Sequence, residues 1–216
     1  MIDYKIVVEA ISFYEKHGYK YIDVPWSVSK EAMLITCPKL FTEKDVLECN
    51  PSMFVTSGEQ SFLEMILDDK LHEGKYCCAV PCFPSSVNSK DGLYFLDYFK
   101  VELISYYELG QHSFDLRRLF FVEEMANLCR SFMQNYRNEN IQLVKNIDNE
   151  LYHNSGTEYS CDLEISEKNF KLGSYSLKYS NQQKRCSNQN NQIGYWVYGP
   201  GVVLPRITTE NVNVNN

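Results

Sequence analysis

Two kinds of residue in this chain carry reactive or charge-binding chemistry at readable spacings: thiols, and a few charged groups near the ends of elements. Eight cysteines are present, and the tightest group is Cys77-Cys78-x-x-x-Cys82, preceded by His72. Such a set could bind zinc through thiolates and an imidazole. No Cys-x-x-Cys pair occurs, however, and thiols clustered on a strand read better as small buried hydrophobes, so no zinc is expected. The four histidines (His17, His72, His112 and His153) show neither Ser/His/Asp order nor metal-helix spacing, which leaves cap or surface roles. A P-loop, a dinucleotide fingerprint, a nucleophile elbow and a Cys-His protease signature are all missing. What remains is a scattered set. Glu59 sits in the first turn of a helix, where the helix dipole favours an acid in any case. Phe99 and Glu102 share one strand, and Phe99 taken alone reads as core filling between sheet and helix. Ser174 and Ser176 share another strand. Arg206 follows Leu204-Pro205, with Gly199 and Gly201 upstream permitting close backbone approach. Lys184-Arg185 and Arg117-Arg118 read as solvated charged pairs.

Periodicity supplies the elements that must position these residues. Residues 3–17 put Ile6, Val7, Ala10, Ile11, Phe13 and Tyr14 at helical spacing and end in Lys16-His17 before Gly18. That is an amphipathic helix with a cationic last turn and a glycine stop. Residues 19–26 follow as a strand with Pro25 near its far end, which suits an edge, a bulge or an interface. Residues 58–71 predict a helix with Phe62, Leu63, Met65, Ile66 and Leu67 on or near one face. Residues 75–83 and 93–104 read as the two arms of an antiparallel hairpin, joined by the polar loop 84–92, and oversized loops are often functional. The longest helical stretch is 113–136. Strands follow around 141–144, 159–165, 170–179 and 194–198, with a polar loop over 180–192. Residues 211–216 are expected to be a disordered polar tail. The expected fold class is α/β (α+β), a mostly antiparallel sheet flanked by helices, in a single domain over residues 1–210.

Composition bounds the function. Of 216 residues, 44% are hydrophobic, and sixteen Tyr with twelve Phe exclude wholesale disorder. Twenty-one basic residues against twenty-eight acidic ones leave a net charge of −7, a poor match to nucleic-acid phosphates in general. No apolar run is long enough to cross a membrane, and Met1-Ile2-Asp3-Tyr4-Lys5 does not open a secretory signal. Reduced thiols in a cytoplasmic protein are the expectation.

The order of four segments resembles the catalytic core of the class II aminoacyl-tRNA synthetases, nearest the seryl branch, over roughly residues 5–207. His17-Gly18-Tyr19-Lys20-Tyr21-Ile22-Asp23-Val24-Pro25-Trp26 is similar to motif 1, the dimer-forming helix and strand. The hairpin resembles motif 2, with Tyr98-Phe99-Lys100-Val101-Glu102 in its second strand. Thr56-Ser57-Gly58-Glu59-Gln60 resembles the loop whose Glu holds the substrate's α-amino group. Residues 171–185 keep the seryl spacing of Ser, Ser, Gln and a basic pair. Residues 198–206 resemble motif 3, which ends in a nucleotide-binding Arg. The resemblance implies a homodimer, a class II synthetase and biotin ligase-like fold, and a pocket for an amino acid or adenylate. It assigns Phe99 to adenine stacking, Glu102 and Arg206 to the nucleotide, Arg206 also to catalysis, and Glu59, Ser174 and Ser176 to the amino acid.

The departures are as specific as the matches. Motif 2 ends its first strand in Phe-Arg-x-Glu, and here that place reads Phe83-Pro84-Ser85-Ser86. The acidic metal ligand before Gly173-Ser174 is replaced by Lys171, and the helix that follows the motif 3 Arg is not expected where Ile207-Thr208-Thr209-Glu210 stands. Losing one donor that stabilises developing negative charge costs on the order of 100- to 1000-fold in rate. The expectation is a free-standing synthetase-like protein with an amino-acid or adenylate-shaped pocket and a degraded activation site, acting by binding or regulation. The alternative is an active adenylate-forming ligase, using ATP with magnesium, that transfers an amino acid to a non-tRNA acceptor such as a carrier protein. Lys171, or Lys90 in the hairpin loop, would then supply the missing charge. Charging of tRNA is not expected.

Overall fold

The computed structural model describes residues 2–36, 48–49, 52–83, 98–108, 118–137, 141–145, 152–154, 157–159, 163–167, 170–185, 192–204 and 206–208. The chain begins with α1 (Tyr4–Lys16). Asp3 caps it by accepting the Lys5 amide at 3.0 Å, and Gly18 leaves it at φ +87°, a conformation that favours glycine. The stripe read from the sequence is the one that is buried: Ile6, Val7, Ala10 and Tyr14 pack inward. The strand expected over residues 19–26 is shorter. Only β1 (Lys20–Tyr21) pairs, in parallel with a later strand, and the chain then leaves for β2 (Ser27–Val28).

A short helix not foreseen from periodicity, α2 (Lys30–Thr36), follows. Next come β3 (Glu48–Cys49) and β4 (Ser52–Phe54), which complete a three-stranded sheet with β2. Then come α3 (Gly58–Leu67), β5 (Gly74–Cys82), β6 (Tyr98–Tyr107) and α4 (Arg118–Met133). The second half is β7 (Ile141–Lys145), β8 (Tyr152–Asn154), β9 (Thr157–Tyr159), β10 (Leu163–Glu167), β11 (Phe170–Gln183) and β12 (Gln192–Leu204). A 3-10 turn, Arg206–Thr208, ends the described chain.

The central sheet runs β1-β5-β6-β12-β11-β10-β7, with β8 and β9 attached at β11. Every pair in it is antiparallel except β1 with β5, so the expected mostly antiparallel α/β fold is what forms. Its faces carry two cores. On one, α1 and α4 cover Val101, Leu103, Leu172, Tyr175, Leu177 and Val197. On the other, α2 and α3 cover Cys78, Val80, Tyr98, Ile104, Trp196 and Tyr198. The alternation of a strand sends successive side chains to opposite layers. Cys77 and Cys78 are therefore buried in different cores. The hairpin loop containing Pro84, Ser85, Ser86 and Lys90, and the tail 211–216, lie outside the described residues.

Candidate functional site

The face under α3 gathers the buried charged groups Glu59, Glu102 and Lys178. Residues directly opposite in a sheet share a face, and the register aligns Lys178 with Trp196 and Ser176 with Tyr198 across β11 and β12. Across β12 and β6 it aligns Pro200 with Glu102 and, past a bulge, Val203 with Lys100. By the same alternation Tyr98, Lys100 and Glu102 lie on this side of β6, and Ser174, Ser176 and Lys178 on this side of β11.

The N-terminus of α3 rests on that face through a dense hydrogen-bond set. Ser57 caps the helix: its Oγ accepts the Glu59 amide at 3.2 Å, while Gln60 Oε1 accepts the Ser57 amide at 3.2 Å and the Thr56 amide at 2.8 Å. This reciprocal pattern satisfies donors that a helix start leaves open. Glu102, buried to 1% exposure, accepts the Gly58 amide on one carboxylate oxygen and the Tyr198 hydroxyl on the other. Ser57 Oγ lies 2.6 Å from the same hydroxyl. Burial and the Glu102 and Glu59 carboxylates push the Tyr198 phenol well above its usual range, so it remains a donor. A Cβ on Gly58 would lie 2.6 Å from Glu102 Oε2, so a larger residue here would displace the carboxylate that accepts its amide.

Glu59 is closed from within the chain. Lys178 Nζ donates to both of its oxygens at 2.7 Å, and Trp196 Nε1 donates to Oε1 at 2.7 Å. Both partners of the ion pair are almost wholly buried, at 3% and 5% side-chain exposure. A pair this deep persists only because further hydrogen bonds support it, and the indole N–H is one of them.

Arg206 reaches this side of the sheet from the 3-10 turn. Its guanidinium carbon lies 5.7 Å from the centre of the Tyr98 ring, and Lys100 Nζ is also 5.7 Å from that ring. Lys100 sits 3.4 Å from Glu102. Burial lowers the Lys100 pKa, neighbouring Cys82 and Glu102 raise it, and Arg206 opposes them; the net direction is up, which keeps the ammonium charged. The turn is held by Arg137, which donates to the Arg206 carbonyl at 2.7 Å and to Glu167 at 3.0 Å.

Of the sequence-predicted residues, Glu59, Glu102, Ser174 and Ser176 share this face and Arg206 joins them, but Phe99 does not. Phe99 faces the α1 layer, where its ring meets Tyr4 edge-on at 5.8 Å. One residue of slip reverses the face, and Tyr98 is the aromatic on the Glu102 side. Parity alone carried that signal, since Glu102 and Tyr98 are an even number of positions apart. Lys100, Lys178, Trp196 and Tyr198 were also missed. A lysine continuing the Ser174, Ser176 alternation was the readable sign of Lys178.

Two further expectations change. Lys184 is no solvated cation: it is buried between Asp69 at 3.1 Å and Glu108 at 3.0 Å. Arg185 spans Glu31, Glu64 and Asp68, so the pair fastens the end of β11 to α2 and α3. The glycines before Arg206 serve the core. Gly201 lies under Leu103 and Tyr14, where a Cβ would come within 2.5 Å.

Among the described residues the acids of this region are engaged and do not fit a magnesium site: both Glu102 oxygens accept N–H or O–H donors, and Lys171 Nζ engages Glu164 at 2.6 Å. Among the described residues no three His, Cys, Asp or Glu side chains cluster to hold a metal. Beside these acids Tyr98 presents a ring, with Arg206 and Lys100 each 5.7 Å from its centre.

No family model and no curated protein matches the sequence. Solved structures do match in fold. The chain superposes on the cytoplasmic serine-tRNA ligase of Naegleria fowleri in complex with AMP with a TM-score of 0.69 at 16% identity, covering 94% of this chain and 51% of that one. The seryl-tRNA synthetase of Pyrococcus horikoshii complexed with ATP gives 0.67 at 12%, covering 94% and 48%. A pyrrolysyl-tRNA synthetase of Desulfitobacterium hafniense gives 0.65 at 11%, covering 94% and 66%. The fold is therefore that of the class II aminoacyl-tRNA synthetase catalytic core. The chain spans about half to two thirds of these proteins. Among the described residues no helix is long and apolar enough to cross a membrane.

Proposed function

We propose that this chain is a synthetase-like binding protein that holds a nucleotide or adenylate-type anion, no longer activates amino acids, and acts on a partner protein through the bound state. The observation that carries this reading is the convergence of Arg206 and Lys100 on the Tyr98 ring, on the Glu102 face of the sheet. Arg206 acts against the charge on Lys100, and a bound phosphate relieves that repulsion. Two solved structures of the same fold contain AMP or ATP, which adds to the argument by analogy. Against activation stand the sequence Phe83-Pro84-Ser85-Ser86, which lacks the motif 2 Arg, and the Lys171–Glu164 pair.

Thermal shift with ATP and AMP tests the binding, since a ligand of the folded state raises stability by RT ln(1 + [L]/Kd). A shift that Arg206→Ala removes supports the reading, whereas equal behaviour of parent and variant rejects it. Pyrophosphate exchange with a pool of amino acids tests the competing reading of an active adenylate-forming ligase. Exchange above a blank would establish that activity and overturn ours.

The same proposal includes a homodimer built on α1. Tyr4 and Val8, each 62% exposed, and Trp26 at 55%, leave large apolar side chains in water near the segment that resembles motif 1. A soluble cytoplasmic setting is part of the reading.

A further inference from the structure

The buried carboxylate of Glu59 already holds a primary ammonium, that of Lys178. Lys178 Nζ donates to both oxygens at 2.7 Å, and Trp196 Nε1 fixes the orientation of the carboxylate from the side at 2.7 Å. Tyr198 contributes its ring 5.6 Å from the same ammonium. Carboxylate, aromatic face and indole donor together make a cation pocket in a dry environment. Its occupant is the chain's own side chain, delivered from β11 by the alternation that also carries Ser176.

We propose that Lys178 is a specificity determinant: its ammonium fills this pocket, so the ligand of the neighbouring Tyr98–Arg206 region is an anion that brings no primary ammonium of its own. The ligand half of this statement rests on the function proposed above; the filled pocket does not. An external amine can enter only by displacing a tethered lysine, whose effective concentration is far higher than that of any free competitor. Free amino acids and other primary amines are therefore excluded although a carboxylate suited to them is present.

The experiment is chemical rescue. Lys178→Ala leaves Glu59 buried without its cation, and its melting temperature falls. Millimolar n-propylammonium restores stability to this variant and not to the parent, while tetramethylammonium, which has no N–H to donate, restores none. The double variant Lys178→Ala/Glu59→Gln shows no response to the amine. If Lys178→Ala does not fold in buffer, recovery of its circular dichroism on refolding with the amine is the readout. Absence of rescue by the primary amine, or equal stabilisation of the parent, overturns the proposal. These assays contain no nucleotide, so a missing ATP or AMP shift counts against the preceding function alone.

Discussion

The ring of Tyr175 lies directly on Gly199, so that a methyl group built on that glycine would overlap the ring. Tyr175 cannot swing aside, because its hydroxyl donates to the Pro200 carbonyl at 2.7 Å and its ring is wholly buried. Gly199 lies within β12, opposite Leu103 of β6, and owes its identity to this packing. Gly199→Ala is expected to destabilise the protein by about 2–3 kcal/mol through overpacking. Urea denaturation with an unchanged m-value and a lower midpoint is the check; a midpoint equal to the parent's would contradict the close approach.

Glu102 ties the start of α3 to the sheet through Gly58 and Tyr198. Glu102→Ala removes the acceptor of a buried amide and of a buried phenol, and leaves Lys100 without its nearest carboxylate. Breaking a buried pair on one side typically costs about 3–5 kcal/mol. Glu102→Gln keeps an acceptor for the amide while losing the charge, so it should cost less than the alanine variant. Equal losses for both would mean that size, not charge and hydrogen bonding, sets the role of this residue.

How much of this was legible in the sequence follows from what each signal measures. Hydrophobic spacing located α1, α3, β5 and β6 within a few residues, because one buried face imposes a period on the chain. It missed α2, whose seven residues are too short for a period to show. It placed the last strand around 194–198; the structure carries β12 from Gln192 through to Leu204 with a bulge in its pairing with β6. Composition could not separate Phe99 from Tyr98, since both are aromatic and only the parity with Glu102 assigns the face. The Lys178–Glu59 pair joins residues 119 positions apart, a relationship that no local pattern encodes.

Burial holds thiols in this protein neutral, with a consequence for alkaline stability. It pushes Cys77, Cys82 and Cys129 up to about 12. A thiol in the unfolded chain ionises near pH 8.5, roughly. The folded pKa is the higher one, so the contribution of each thiol is complete below the unfolded pKa and is lost as pH climbs toward 12. Each such group steepens the decline by at most about 1.4 kcal/mol per pH unit in that window. Melting temperatures recorded from neutral to alkaline pH should be level at first and then fall, and Cys82→Ala should make the fall shallower. A flat profile would contradict the burial of these thiols.

Association through α1 makes the last prediction. The helix buries Ile6, Val7, Ala10 and Tyr14 against the sheet, which leaves Tyr4 and Val8, one turn apart, on the outer side. Tyr4 meets the Phe99 ring edge-on at 5.8 Å, which steadies it at this surface. If it meets a second copy, Val8→Glu places two carboxylates in an apolar contact and converts a dimer to a monomer. The core side of α1 is untouched, so circular dichroism and melting temperature measured at low protein concentration should match the parent. Sedimentation velocity is the measurement. A parent that sediments as a monomer at high concentration removes the dimer, and a Val8→Glu protein that remains dimeric moves the interface away from α1.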